Sequence, residues 1–138
     1  MQIRKFVPII ACLTMAALCW GQDYQPKFKG DPAKSDSEAA ALGFMRTVVM
    51  AEKNYKAKKN AYAPTLMDLV GQGSFTRRMA DSKKRGDYTV NYKAEHEGYR
   101  LTMTPNAVDA THRSFFVDQS GKIKAEEDKA ATDSSPAV

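Results

Sequence analysis

The sequence predicts an α+β fold: a long amphipathic amino-terminal helix packed on a three- to four-stranded antiparallel meander sheet, with one or two short helices in the connecting loop. Three observations lead there. Between Asp36 and Lys56 apolar residues recur at helical spacing. After Gly86 the period drops to two. Short turn-forming stretches separate the alternating runs, so consecutive strands pair with each other. With 138 residues, 43% hydrophobic and 27% charged, the chain has the composition of one globular domain and no length for a second core.

The helix opens at Ser35-Asp36-Ser37-Glu38, where Ser35 and Glu38 have capping-box spacing. At 100° per residue Ala41, Leu42, Met45, Val48, Val49 and Tyr55 share one half of the circumference, with Phe44 at its margin and Arg46, Lys53 and Asn54 opposite. This gives about five turns, with Gly43 as the weak point. Lys58-Lys59-Asn60 ends the helix, and Tyr62-Ala63-Pro64 is a tight connection. Thr65 caps a short helical turn through Val70, which Gly71 and Gly73 stop. Ser74 to Lys84 is expected as another short helix.

Tyr88, Val90 and Tyr92 then alternate with polar residues, as do Tyr99, Leu101 and Met103. Glu95-His96-Glu97-Gly98 joins these two strands as a hairpin loop. Arg113 to Val117 supplies a third strand and Lys122 to Lys124 a short fourth, across the turn Asp118-Gln119-Ser120-Gly121. Tyr88, Val90, Leu101, Met103 and Phe116 are the sheet residues expected under the helix. Residues 126–138, charged and small, are expected to be disordered.

The first residues read as an export signal. Arg4 and Lys5 precede an uncharged apolar run from Phe6 to Trp20, shorter than the roughly 20 residues of a spanning helix and interrupted by Pro8. A permanent anchor and a lipid-modified Cys12 are the competing readings; the run before Cys12 is very short for the second. A cut between Gly21 and Gln22 divides the chain into a signal peptide (1–21), a Pro/Gly-interrupted linker (22–35), the globular domain (36–125) and the tail (126–138). Cys12 and Cys19 leave with the signal, so the mature chain has no disulfide. Loss of Arg4 and Lys5 lowers the formal charge from +5 to +3, which weakens any argument from overall basicity.

Met45-Arg46-Thr47, Ala51-Glu52 and Tyr55, followed by Tyr62-Ala63-Pro64-Thr65-Leu66 and Leu69, resemble the helix-to-loop passage of bacterial type IV pilins and type II secretion pseudopilins. Gly86-Asp87-Tyr88-Thr89-Val90, Gly98-Tyr99-Arg100-Leu101-Thr102 with Pro105, and Arg113-Ser114-Phe115-Phe116-Val117-Asp118-Gln119-Ser120-Gly121 resemble their sheet. The resemblance runs from about Ser37 to Lys124 and implies a pilin-like globular domain. Pilins open with a processing-site glycine and Phe-Thr-Leu-Ile-Glu at the head of a long hydrophobic helix. Here Lys5 precedes Phe6-Val7-Pro8-Ile9-Ile10 and no glutamate follows, so the pilin hydrophobic amino-terminal helix is lacking.

The expected role is therefore that of an exported, non-enzymatic protein, periplasmic or extracellular. It acts through protein contacts as an accessory to a pilus or secretion apparatus, as a monomer or small oligomer without permanent membrane anchor. A stand-alone module binding DNA or a surface glycan is the other reading, since some minor pilins bind DNA. Its candidate residues are Lys56, Lys58 and Lys59 with Arg77, Arg78, Lys83, Lys84 and Arg85, for which a solvated face interleaved with Asp81 and Asp87 is the preferred reading, since the mature net charge is small and no aromatic residues interleave with the cluster. No catalytic residue, cofactor or metal is expected. Glu95-His96-Glu97 and His112 are solvated loop positions, and Asp118 with Ser120 lacks the further acidic positions of a calcium loop. Glu52 is singled out as a structural buried carboxylate, because helical geometry sets it among Met45, Val48, Val49 and Tyr55, and the nearby backbone from Lys59 to Leu66 can supply N–H donors.

Intact-mass measurement of the exported protein checks the signal. The expected species starts near Gln22 with no lipid; a membrane-retained species carrying Met1 to Trp20 contradicts it.

Overall fold

The computed structural model describes residues 23–138; the expected signal segment, with Gly21 and Gln22 at its cut, lies outside the described residues. Helix α1 spans Asp36–Lys59. Ser35 is its N-cap, accepting the Glu38 N–H through its hydroxyl at 3.1 Å. Asn60 closes the helix in the left-handed conformation (φ 54°), returning its N–H to Lys56 O. A 3-10 turn at Leu66–Leu69 and a short helix α2 at Arg77–Asp81 follow. The strands are β1 (Lys84–Arg85), β2 (Tyr88–Glu95), β3 (Gly98–Pro105), β4 (Ser114–Asp118) and β5 (Lys124–Glu126), in spatial order β1-β2-β3-β4-β5 and all antiparallel.

The expected architecture, a long amino-terminal helix packed on three to four strands, is corrected by this arrangement. The described residues hold one long helix, preceded by an arm, and a sheet of five strands. The backbone of α1 runs chiefly beside the 3-10 turn, and the helix meets the strands mainly through the side chains of the core. The short helix expected between Ser74 and Lys84 is present as α2, and the additional strand, β1, begins at Lys84, the last residue of that span. Its two residues carry no apolar alternation and are drawn into the sheet by the Gly86-Asp87 turn, where Gly86 adopts φ 55°.

Two further expectations change. Register pairs Thr102 with Phe116 and Met103 with Phe115, so Phe115 and Val117 face the helix side and Phe116 faces the other, beneath the Arg100 guanidinium. The tail from Glu126 is not disordered: it folds back along β5, where Ala125 N–H donates to Pro136 O at 2.9 Å and Val138 N–H to Ile123 O at 3.1 Å. The arm ahead of α1 is held too. Asp31 accepts from Tyr24 Oη at 2.5 Å and from the N–H groups of Lys27 and Ala33, and Ala33 is buried.

One core joins these parts. Ala41, Leu42, Phe44, Met45, Val48 and Ala51 of α1 meet Tyr88, Val90, Leu101, Met103, Phe115 and Val117 of the sheet, with Leu69 and Phe75 closing one end. Both ends of the buried helical stripe are carboxylates, Glu38 and Glu52, each fully buried. Glu38 receives Arg113 as a fork, with Nη2 2.7 Å from Oε1 and Nε 3.1 Å from Oε2, plus the backbone N–H groups of Lys34 at 3.0 Å and Arg113 at 2.9 Å. Arg113 Nη2 also donates to Pro32 O at 2.7 Å. The capping box is thus half formed: Ser35 caps, while the Glu38 carboxylate serves β4 and the arm.

Arg113→Met strands a buried carboxylate and should cost about 3–5 kcal/mol in urea denaturation. Pairing it with Glu38→Gln removes the stranded charge and keeps one carbonyl oxygen to accept one of the two backbone N–H groups, so the double variant should recover part of that loss. A single variant as stable as the parent contradicts the role.

Candidate functional site

Glu52 sits at the second end of the stripe. Its Oε2 accepts the Ala63 N–H at 3.1 Å, and its Oε1 is in hydrogen-bond contact with Tyr92 Oη, which lies 2.6 Å from Ala63 O. The tight passage at Pro64 brings Ala63 under the helix, and β2 aims Tyr92 at the same point. A tyrosine hydroxyl has one proton for two acceptors. The ring of contacts closes when Glu52 is itself protonated: Glu52 donates to Tyr92 Oη, Tyr92 to Ala63 O, and Ala63 N–H to Glu52. Burial pushes the Glu52 carboxyl above its ordinary range, against the lowering effect of Tyr92 and Ala63. The Tyr92 phenol is raised as well, first by burial and then by Glu52. Tyr92 and Tyr99 stack at 5.9 Å, and Tyr62 meets Tyr99 edge-on at 5.4 Å. The cluster is spent on holding the loop.

The remaining polar candidates are similarly occupied. His96 and Glu97 form the exposed two-residue turn between β2 and β3. His112 Nδ1 is 3.2 Å from Asp109 and its Nε2 is 3.7 Å from Asp87, but Asp109 is already bound by the Thr111 N–H, which is the first cause lowering its carboxyl. Asp118 caps its own turn through the Ser120 N–H at 2.9 Å. Among the described residues no group of three His, Cys, Asp or Glu is placed to hold a metal ion, and no helix is long and apolar enough to cross a membrane.

The basic candidates divide. Lys56 lies over the Tyr62 ring, Lys58 donates to Gln72 and Arg85 covers the Phe44 ring. Arg77, Arg78, Lys83 and Lys84, together with Lys93 of β2, take part in no ion pair among the described residues.

Three of these cations, Lys83, Lys84 and Lys93, border an unpaired length of strand, which sequence patterning gave no means of seeing. β1 covers β2 only at Tyr88 and Thr89, with one further bond from Val90 N–H to Lys83 O at 2.8 Å. That bond shows that even-numbered residues of β2 point their backbone groups away from β3. The N–H groups of Tyr92 and Ala94 therefore face outward, and among the described residues neither has a partner across that edge. Beside the edge lies a cleft of about 470 Å³ whose walls include Leu66, Met67, Lys83, Val90 and Tyr92. Met67 is 42% exposed, and Val70 next to the turn 37%. At the opposite edge of the sheet the tail occupies β5.

Comparison of the chain with protein-family models, with curated proteins and with solved structures gives no match.

Because the folded pKa of Glu52 is raised, its favourable contribution is complete below the unfolded carboxylate range and is lost as pH rises through the folded value. Glu52→Gln supplies the donor and acceptor of the neutral acid at every pH. Its stability relative to the parent should thus grow from acid toward neutral pH, while Glu52→Ala should lose about 1–3 kcal/mol by leaving the Ala63 N–H unpaired. Denaturation across a pH series checks this; a Gln-minus-parent difference that stays flat contradicts it.

Proposed function

We propose that the protein is an exported, non-enzymatic, pilin-like module that works by protein–protein contact, as an accessory to a type IV pilus or type II secretion apparatus in the periplasm or outside the cell. The observation that carries this reading is the outward-facing β2 edge beside a cleft flanked by exposed apolar side chains, a surface suited to another polypeptide. The pilin resemblance between Ser37 and Lys124 supplies the class of apparatus. The buried ionisable groups support the same reading, because Glu38, Glu52 and Tyr92 are engaged in tying helix, loop and sheet together. The second reading, a stand-alone module for DNA or a glycan, draws on the unpaired cations from Arg77 to Lys93.

The helix contributes no second apolar stripe, since Ala41, Leu42, Met45 and Val48 are consumed by the core. Purified mature protein should accordingly remain a monomer or small oligomer in light scattering and negative-stain microscopy. The tagged protein, crosslinked in the bacterium that encodes it, should carry pilus or secretion components with it. Retention on DNA that falls steeply with salt, with no such component recovered, would move the assignment to the second reading. Ordered fibres of the protein alone would return it to the filament-forming subunits.

A further inference from the structure

We infer that the open β2 edge takes up an extended acidic segment of a partner protein as an added strand, with acidic and apolar residues alternating along that segment. This rests on the protein-contact reading and gives it a partner chemistry. β1 stops the edge at Lys83, so the free stretch faces Asn91 to Glu95, and the outward N–H groups of Tyr92 and Ala94 set its ladder. An added strand continues the pleat of β2. Its residues beside Tyr92 fall on the helix side, where the cleft between Leu66, Met67 and Val90 receives apolar side chains. Its residues beside Asn91 and Lys93 fall on the opposite face.

Charge chooses the occupant. Lys83, Lys84 and Lys93 stand on the chain segments that form this edge, without an ion-pair partner among the described residues. Of the nearby carboxylates, Asp68 is bound by the Thr65 N–H and hydroxyl and Glu95 is paired with Arg100 at 2.7 Å, which leaves Asp81 at the end of α2 as one negative charge against the three lysines. A second copy meeting the same edge about a two-fold axis would bring Lys93 toward Lys93, which cross-strand pairing disfavours. An acidic strand instead sets its carboxylates beside Lys93, on the face that Lys84 shares through its pairing with Thr89. The short free stretch implies a weak, reversible complex.

The test uses the exported chain and blocked peptides of alternating Val and Glu, with alternating Val and Lys as control. Saturating Val-Glu peptide should slow exchange of the Tyr92 and Ala94 amide protons by about tenfold, and added salt should weaken it. Ala94→Pro removes an N–H that β3 does not use and should weaken binding about tenfold. Lys93→Glu, at an exposed position, should turn the preference from the Val-Glu to the Val-Lys peptide. Unprotected amides, equal protection by both peptides, or an unchanged preference in Lys93→Glu each overturn the inference. Failure here while pilus or secretion components still co-purify removes this edge alone; protection here without such components removes the apparatus and leaves the edge.

Discussion

The Glu38–Arg113 pair is the constraint from which the rest of the fold follows. A carboxylate with no solvent access must be satisfied inside the protein, and every group that satisfies it belongs to a different part of the chain. Lys34 brings the arm, Arg113 brings the start of β4, and Glu38 itself belongs to the first turn of α1. Tyr88 then donates to Arg113 O at 2.7 Å, which ties β2 to the same point. Since Glu52 lies about four helical turns further along the same stripe, the helix is attached at both ends and cannot rotate without exposing one carboxylate or stranding the other.

The two attachments differ in chemistry. Glu38 is neutralised by a guanidinium that also carries the Pro32 carbonyl, whereas Glu52 is held by a phenol and a peptide group, with no cation paired to it among the described residues. One end is an ion pair assembled from distant segments; the other is a ring of hydrogen bonds that closes when Glu52 carries a proton. At the second, burial with no cation alongside pushes the Glu52 carboxyl above its ordinary range.

How much of this was legible depends on the distance over which each contact is decided. The helix could be read because its period is local, and the burial of Glu52 because its neighbours on the helix face are local too. The partner of Glu38 lies 75 residues away, so Glu38 read only as a capping residue and Arg113 only as the start of a strand. Arg113 to Val117 contains consecutive apolar residues, and such a run does not say which of them faces the helix; register with β3 decides it and puts Phe116 on the far side. β1 and the ordered tail are read wrongly for a related reason. Both are short polar segments whose place is set by hydrogen bonds to a neighbour rather than by their own composition.

The tail has a topological consequence. With Pro136 to Val138 bonded along β5, one side of the sheet is covered by the chain itself, and among the described residues the outward N–H groups of Tyr92 and Ala94 are left open on β2. A sheet free on both sides can relay strand pairing from one molecule to the next without limit. A sheet free on one side has a valence of one: whatever pairs there ends the series, because the joined molecule presents no second edge to continue it.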